Sequence, residues 1–356
     1  MSTIGDVARM AGVSTTTVSR HLAGHKIREV AAVEATIAAL DFRASAVARS
    51  LKSGVTGSVG LIVPDVSNPF FAAVVKGVES VSRQLELNVF LSNTDESVER
   101  ERSVLQGLIG RVDGLILVPV REEADNTQEL RRAGVPIVLL DRLLNGCDDL
   151  DSVLVDSRGG AAQAADHLLK LGHQRIGLIS GPLDTTPGRE RYEGFMETLA
   201  RAGVRQDPAL IHMGDFKHES GYQATLRLLG LPWPVTAIFS VNNLMSAGVL
   251  RALHHMGVRV PGELSFVGFD DLELAELLSP PLTVISRPAA EQGVLAMRLL
   301  RNRIEGKGPA RPQHIVLDSQ LTVRGSSGPP MDSTDSFTAY KKVASPVASL
   351  QRMDEP

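Results

Sequence analysis

The sequence predicts a small all-α unit at the N-terminus and, after it, an α/β body made of two doubly wound parallel sheets. Two observations support this fold class. The first 40 residues place apolar side chains at helical spacing, whereas from residue 59 onward short Val/Ile/Leu runs alternate with amphipathic segments. Because there are too many such runs for one ordinary sheet, we expect two subdomains that face each other across a cleft.

The N-terminal unit begins with two predicted helices joined by a glycine turn. Gly12 supplies the turn, and the hydroxyl of Ser14 can accept a hydrogen bond from the free amides of the second helix. That helix carries Val18 and Leu22 inward and is otherwise polar, with Arg20 near its end. This arrangement is typical of a helix-turn-helix that reads the DNA major groove, although an ordinary helical hairpin has the same apolar spacing. The apolar face of the first helix consists of Ile4, Val7, Ala8 and Ala11.

The rest of the chain divides by composition. A third helix is predicted over about 29–40, and 45–52 reads as a short helical stretch followed by a Gly- and Ser-containing linker. The C-terminal segment is polar and rich in Pro and Ser, without an apolar heptad repeat, so we expect it to be disordered. We therefore predict a headpiece at 1–44, a hinge helix and linker at 45–58, the α/β domain at 59–325 and a disordered tail at 326–356.

The strands of the α/β domain are predicted from continuous apolar runs. Such runs are typical of parallel strands that are covered by helices on both faces. Between the first two runs, segment 70–85 places Val74, Val78, Val81 and Leu85 on one helical face. The runs occupy 59–63, 88–92, 114–118, 136–141, 152–156, 175–180, 237–241 and 265–269.

Charge and composition narrow the function classes. Residues 1–58 hold seven Lys and Arg against four Asp and Glu, a net charge of +3. Because the whole chain has a net charge of −4, the remaining residues carry −7. A basic module on an acidic body suits a protein that binds phosphate at one end, and a solvated helical face gives the same asymmetry. One cysteine, Cys147, excludes an internal disulfide and fits a reducing cytosol. We find no apolar signal segment and no apolar run of 18 residues, so we expect no membrane span.

Catalytic and metal-binding motifs are absent from the sequence. It contains no G-x-G-x-x-G after a strand, no phosphate-binding P-loop, no G-x-S-x-G and no H-E-x-x-H. His254 and His255 are adjacent and diverge on a helix, so they cannot chelate one ion together. We therefore expect neither cofactor nor metal. The alternative is a sugar- or nucleoside-acting enzyme, or a pure sugar-binding protein, on the same scaffold.

Six segments, in order along the chain, carry a family resemblance. The string TIGDVARMAGVSTTTVSRHLAG at 3–24 resembles the headpiece of the LacI/GalR (lactose-repressor) family of bacterial transcription regulators, and the chain is most similar to its ribose-repressor branch. The resemblance implies a cytoplasmic homodimer that binds a palindromic operator and a small carbohydrate-like effector, most often as a repressor. It also implies a periplasmic-binding-protein-like effector domain. The other matching segments are 45–71, 111–119, 135–142, 172–195 and 264–288.

The resemblance assigns DNA contacts to two places, the second helix of the headpiece and the hinge. By this resemblance we expect Leu51, in the hinge, to enter the minor groove as a wedge at the centre of the operator, and the alternative is that it packs against the top of the effector domain. The segment from Gly24 to Phe42 is two or three residues shorter than usual, and Ala44-Ser45 stands where Pro-Asn is common, so phosphate contacts from this loop are not carried over. The predicted DNA-binding residues are Thr15, Thr16, Ser19, Arg20, Ala48, Leu51 and Lys52.

The predicted effector site follows from the rule that ligands bind beyond the carboxyl ends of parallel strands. Aromatic, carboxylate, amide and guanidinium side chains follow these strand ends, which suits the C–H faces and hydroxyls of a sugar. Phe70 and Phe71 read equally well as core, Asp270 as a helix cap and Arg191 as a surface charge. The predicted site comprises Asn68, Phe70, Phe71, Asp95, Arg142, Arg191, Phe216, Asn242, Asp270 and Arg287.

Two positions bear on the class of effector. Thr185 stands where a purine-binding relative has Arg, which disfavours a purine, and the stretch at 179–195 is similar to ribose regulators. Arg287 occupies a position where sugar-binding relatives often carry Gln. An Arg there can reach a carboxylate or phosphate of the effector, or it can pair with Asp270. The sequence therefore predicts a pentose or a related sugar.

Overall fold

A computed structural model of the chain describes residues 2–22, 24–42, 55–233, 235–271 and 275–331, without the side chains of residues 124 and 125. It divides into two compact units. The first comprises Met1–Gly57 with Gly110–Asp113, and the second comprises Ser58–Ile109 with Gly114–Pro356.

The first unit contains three short helices around a small apolar core. Thr3 and Asp6 cap the first helix reciprocally, and Gly12 makes the following turn with a φ of 67°. The amide of Thr17 donates to Ser14 Oγ at 3.0 Å, so Ser14 caps the second helix as the sequence predicts. The helices are α1 (Ile4–Met10), α2 (Thr15–Leu22) and α3 (Val30–Ala39), and their buried core is Val7, Ala8, Val18 and Val33.

The second unit contains two six-stranded sheets with helices on their faces. The strands are β1 (Ser58–Val63), β2 (Asn88–Asn93), β3 (Gly114–Leu117), β4 (Ile137–Leu140), β5 (Asp151–Val155), β6 (Ile176–Ser180), β7 (Ile211–Met213), β8 (Ala237–Ser240), β9 (Ser265–Phe269), β10 (Thr283–Ser286), β11 (His314–Leu317) and β12 (Gln320–Thr322). The helices are α4 (Pro69–Ser82), α5 (Val98–Leu108), α6 (Gln128–Arg132), α7 (Ser157–Lys170), α8 (Thr186–Arg201), α9 (His218–Leu229), α10 (Asn243–His255) and α11 (Ala289–Ile304).

Each sheet forms one lobe. Lobe 1 has the strand order β11-β5-β4-β3-β1-β2, and lobe 2 has the order β12-β10-β9-β8-β6-β7. Among the described residues every strand pair is parallel except β10 with β12. The chain passes between the lobes three times, after β5, after β10 and after β11. These crossovers connect the lobes at one edge of a cleft, where a change in a few backbone angles alters the angle between them.

The packing inside lobe 1 places its helices close to one another. A Cβ at Gly77 in α4 would lie 2.0 Å from the carbonyl oxygen of Ala290 in α11, so only glycine permits this approach. The two helices cover the apolar β1, β3 and β4, whose residues are all buried. The strand ends that face the cleft are therefore held on a rigid support.

The eight predicted strands are present, and the structure adds four more. Strands β7, β10, β11 and β12 are only three or four residues long. Three of them lie at sheet edges, where one side of the strand is exposed and no continuous apolar run is needed. Strand β10 is buried, but its run of apolar residues is too short to mark a strand by itself.

The predicted start of a disordered tail at residue 326 is wrong. Ser326 is buried, and its Oγ donates to the carbonyl of Phe266 at 2.6 Å and accepts from the amide of Thr283 at 2.8 Å. His173 Nε2 lies 2.8 Å from the carbonyl oxygen of Gly328. These hydrogen bonds make 326–331 part of lobe 2, a tertiary pairing that composition does not reveal. Residues 332–356 lie outside the described residues.

Candidate functional site

Two asparagines at helix N-termini frame a cleft between the lobes. Asn68 caps α4 by accepting from the amide of Phe70 at 2.9 Å, and Asn242 caps α10 by accepting from the amide of Met245 at 2.9 Å. Asn243 Nδ2 donates to Asn68 Oδ1 at 2.8 Å, which joins lobe 2 to lobe 1. The cleft is nearly filled by its own side chains, since only about 30 Å³ of it can hold the centres of water-sized molecules.

Nine of the ten residues predicted for the effector site line this cleft. They are Asn68, Phe70, Phe71, Arg142, Arg191, Phe216, Asn242, Asp270 and Arg287. The structure brings further side chains to the same walls that the sequence-based set omits: Asp65, Glu96, Asp141, Pro187, Asp215, Lys217 and Leu244. Asp141 directly follows the run that forms β4, so its position after a strand was a usable signal.

Asp95, the tenth predicted residue, does not line this cleft. Asp95 is exposed, and its carboxylate pairs with Arg100 at 2.8 Å and with Lys217 at 3.4 Å. Both Asp95 and Glu96 have positive φ, 51° and 56°, in the tight turn after β2. This turn directs Glu96, rather than Asp95, to the cleft wall. The backbone geometry of a turn at this level of detail is not visible in the sequence.

Arg287 is the centre of a buried charge network. Its Nε and Nη2 donate to the Asp270 carboxylate at 2.5 and 3.1 Å, and its Nη1 donates to Asp141. Burial alone lowers the pKa of Arg287, but the two carboxylates outweigh this and raise it above the usual value. Burial likewise raises the pKa of Asp141, while the positive charges of Arg287, Arg191 and Arg142 lower it overall. Arg287 and Asp141 are therefore both ionised at neutral pH.

Arg142 and Glu96 form a second pair on lobe 1. Two guanidinium nitrogens of Arg142 contact the Glu96 carboxylate at 2.7 and 2.8 Å, and Nη1 also lies 3.2 Å from the carbonyl of Pro119. The guanidinium carbon lies 5.5 Å from the ring centroid of Phe216. Within the described part of the chain, Arg142 Nε is buried without a hydrogen-bond partner.

Arg191 of α8 is the least neutralised cation of the cleft. Its Nη1 donates to the carbonyl of Val241 at 2.6 Å but lies 4.0 Å from Asp270. Burial and the neighbouring positive charge of Arg287 lower its pKa to about 10. Among the described atoms, its Nη2 is buried with no hydrogen-bond partner. This donor is available to an acceptor on a ligand.

A second set of contacts joins the lobes beside the cleft. Glu122 of lobe 1 accepts from Thr186 Oγ1 at 2.7 Å and from Arg189 Nη1 at 2.5 Å, both in the first turn of α8. The amide of Leu143 donates to Thr186 Oγ1 at 2.9 Å. We call Glu122, Thr186 and Arg189 the latch cluster.

The predicted DNA-contacting residues fall partly inside the described chain. Thr15, Thr16 and Arg20 of α2 are exposed, and Ser19 is half-buried. They therefore lie on the outer side of the helix whose inner side carries Val18. The predicted hinge residues Ala48, Leu51 and Lys52 lie outside the described residues.

Among the described residues, no group of three or more His, Cys, Asp or Glu side chains is arranged to hold a metal ion. In the same residues no helix has the length and apolar character needed to cross a membrane.

Two family models and relatives of nearly the same length match the chain. Residues 3–44 match the family model "Bacterial regulatory proteins, lacI family", and residues 165–327 match "Periplasmic binding protein-like domain". The chain is 37% identical over 335 residues to the ribose operon repressor of Escherichia coli (strain K12), covering 92% of this chain and 100% of that one. It is 37% identical over 333 residues to the HTH-type transcriptional repressor PurR of Actinobacillus pleuropneumoniae serotype 3, covering 92% and 98%.

Solved structures of regulators are similar to the chain. The lac repressor dimer bound to operator and the anti-inducer ONPF has a TM-score of 0.78 at 27% identity and covers 92% of this chain and 99% of that chain. A LacI family transcriptional regulator from Enterococcus faecium with bound ribose has a TM-score of 0.68 at 28% identity, covering 77% and 100%. The first of these neighbours covers nearly the whole chain, whereas the second covers about three quarters of it.

Proposed function

The chain belongs to the lacI family of bacterial regulatory proteins, and from this premise we propose that it is a homodimeric transcriptional repressor whose operator affinity responds to a pentose. The family membership makes it a DNA-binding transcriptional regulator. The observation that carries the choice of effector is the convergence of aromatic, carboxylate and guanidinium side chains from both lobes in one cleft. The proposal includes no chemical reaction, and it places the protein in the cytoplasm, where operator DNA lies.

The residue types in the cleft match the chemistry of a polyol. Phe70 and Phe216 offer aromatic faces to the C–H side of a sugar ring, and carboxylate oxygens accept from its hydroxyls. Arg191 Nη2 supplies a buried donor that a hydroxyl or ring oxygen satisfies. The ribose operon repressors among the relatives and the ribose-bound neighbour support a pentose.

The proposed mechanism couples two equilibria. An effector that contacts both lobes favours one angle between them, because only then are all its contacts made. Residues 45–57 lead into β1 of lobe 1, so in a dimer we expect the lobe angle to set the separation of the two hinge segments. The effector then changes the free energy of operator binding by a certain amount, and the operator changes the free energy of effector binding by the same amount.

The experiment begins with selection of an operator from random DNA by the full-length protein. We expect an enriched palindrome, and we expect D-ribose to change its affinity at least tenfold in a band-shift assay at fixed salt. L-ribose is the matched control, since its hydroxyls have the same chemistry but the opposite hand. Selection without an enriched sequence would contradict the regulator proposal, and equal effects of both enantiomers would contradict the pentose site.

A thermal unfolding measurement provides an independent check of the ligand. A ligand at 100 times its dissociation constant stabilises the folded state by about 2.7 kcal/mol. We expect D-ribose to raise the midpoint of unfolding, and L-ribose to leave it unchanged. Hexoses, nucleosides and sugar phosphates complete the panel. A larger shift with one of these than with D-ribose would reassign the effector within the same cleft.

A further inference from the structure

Arg287 covers the aromatic face on which a sugar ring would stack. Its guanidinium carbon lies 3.5 Å from the centroid of the Phe70 ring, which is a stacking distance, and 6.0 Å from that of Phe269. The Arg287 side chain is only 4% exposed, so this position is enclosed rather than transient. The planar guanidinium of Arg287 therefore already makes the stacking contact that is expected of an effector ring.

The nitrogen atoms of Arg287 make the hydrogen bonds that are expected of the effector's hydroxyls. The Asp270 carboxylate, directly after β9 of lobe 2, accepts from Nε and Nη2, and Asp141, directly after β4 of lobe 1, accepts from Nη1. Arg287 itself lies in the crossover between β10 and α11. One guanidinium thus contacts the Phe70 ring and also one carboxylate from each lobe, as a bound polyol would.

We propose that Arg287 is an internal surrogate for the effector: it holds the two lobes together in the ligand-free protein and competes with the sugar for Phe70, Asp141 and Asp270. The competition rests on the proposed function, whereas the bridging between lobes does not. An effector ring that reaches Phe70 must first displace the guanidinium from both carboxylates. Arg287 therefore weakens the binding of neutral sugars and sets the concentration at which the protein responds.

The state of Arg191 supports this division of the carboxylates. Asp270 lies at 2.5 and 3.1 Å from Arg287 but at 4.0 Å from Arg191, whose Nη2 is left without a partner among the described atoms. The Arg191 atom that lies 4.0 Å from Asp270 is Nη1, which donates to the carbonyl of Val241, while both Asp270 carboxylate oxygens accept from Arg287. Removal of Arg287 would free Asp270 for Arg191 and for a ligand hydroxyl.

The first test uses the full-length protein without ligand. We expect Arg287→Gln to speed hydrogen–deuterium exchange at least threefold at the amide of Leu143, which donates across the cleft to Thr186. Arg259→Gln is the matched control, because Arg259 is an exposed arginine of lobe 2 that pairs with Glu263 on its own loop. Unchanged exchange at Leu143 in Arg287→Gln would overturn the proposal.

A second variant guards against a general loss of structure. Arg287→Lys keeps the buried positive charge but cannot stack as a plane or bridge two carboxylates with a fork. We expect its exchange at Leu143 to lie between wild type and Arg287→Gln, with no change in the buried strands β1 and β9. If Arg287→Gln does not fold, this variant decides, and wild-type exchange at Leu143 would overturn the bridging role.

The competition is tested by calorimetry with D-ribose. We expect Arg287→Gln to bind D-ribose at least tenfold more tightly than the wild type does. Equal or weaker binding by the variant would show that Arg287 is a ligand contact and not a competitor. Absence of binding in both proteins would contradict the pentose effector of the proposed function, while the exchange measurement still decides whether Arg287 bridges the lobes.

Discussion

At the scale of single residues, the cleft depends on which charges share a partner. Asp270 and Asp271 are neighbours in the chain, yet only Asp270 is buried in the cleft, whereas Asp271 pairs with Arg324 at 2.7 Å. The strand end at Phe269 and the positive φ of 70° at Asp270 turn the two carboxylates in different directions. Adjacent residues of one type therefore offer a matched pair for testing the site.

Asp270→Asn is expected to weaken effector binding about 10- to 100-fold, because a hydrogen bond to a charged acceptor contributes about 1.5–3 kcal/mol. The amide keeps the size of the side chain, and Asp141 still holds Arg287. Calorimetry with D-ribose measures this affinity.

Asp271→Asn is the control for this substitution and should leave effector affinity unchanged. If Asp271→Asn weakened binding as much as Asp270→Asn does, the loss would reflect the loop as a whole. In that case Asp270 would no longer be assigned to the site.

Arg20→Ala is expected to weaken specific operator binding by about 1–3 kcal/mol and to relax the preference at one symmetric base pair. Arg20 is exposed near the end of α2, and Arg pairs best with the O6 and N7 atoms of guanine. Repeating the selection from random DNA with the variant measures the preference. A uniform loss at every position would mean that Arg20 contacts only phosphate. Arg9→Ala on α1 is the control, since Arg9 is also exposed but lies outside α2.

At the scale of elements, the N-terminus of α8 contacts both the cleft and the opposite lobe. Thr185 caps this helix through the amide of Gly188 at 3.3 Å, and Arg191 follows in the second turn. The latch cluster binds the first turn to lobe 1. The hydrogen bond to Glu122 raises the pKa of Arg189, although burial lowers it in part. Helix α8 therefore links closure of the lobes to the position of Arg191.

Glu122→Gln is expected to weaken effector binding about threefold to fivefold, since the pair with half-exposed Arg189 is partly screened by solvent. The substitution removes the charge but keeps an acceptor for Thr186. It loosens the closed lobes without removing the competing Arg287, so its effect is opposite in sign to that of Arg287→Gln. Glu123→Gln, next to it and exposed, is the control. Tighter binding by Glu122→Gln would contradict the latch.

At the scale of the whole molecule, we expect the stability of lobe 2 to depend on His167 and His173, which contact its C-terminal segment. Burial lowers the pKa of His173, and the Gly328 carbonyl only partly offsets this. Burial also lowers the pKa of His167, which contacts Ser327. A lowered folded-state pKa means that the unfolded chain binds the proton first. The stabilisation is therefore complete above about pH 6.5, the ordinary value for histidine, and is lost as the pH falls toward the folded-state value.

His173→Gln is expected to reduce the loss of stability between about pH 7 and pH 5, because Gln can donate to Gly328 but does not titrate. Urea unfolding at several pH values measures this difference between variant and wild type. His254→Gln, on α10 and outside this contact, should keep the wild-type dependence. A His173→Gln profile parallel to that of wild type would show that another group dominates the acid sensitivity.

The sequence by itself determined those features that depend on local periodicity and on position after a strand. The helical face of Ile4, Val7, Ala8 and Ala11, the cap at Ser14 and the continuous apolar strands are short-range patterns, and they suffice for the fold class. The rule for ligands at strand ends likewise brought nine of the ten predicted side chains to the cleft wall.

Tertiary structure decided which partner each of those side chains has. Glu96 takes the place predicted for Asp95 because two consecutive residues with positive φ turn the chain after β2. Ser326 joins lobe 2 because it pairs with segments 43 and 60 residues away. The sequence left open whether Arg287 awaits an anionic ligand or pairs with Asp270. It pairs with both Asp270 and Asp141, because parallel strands of two separate sheets end at the same cleft, and such long-range juxtaposition leaves no trace in local spacing.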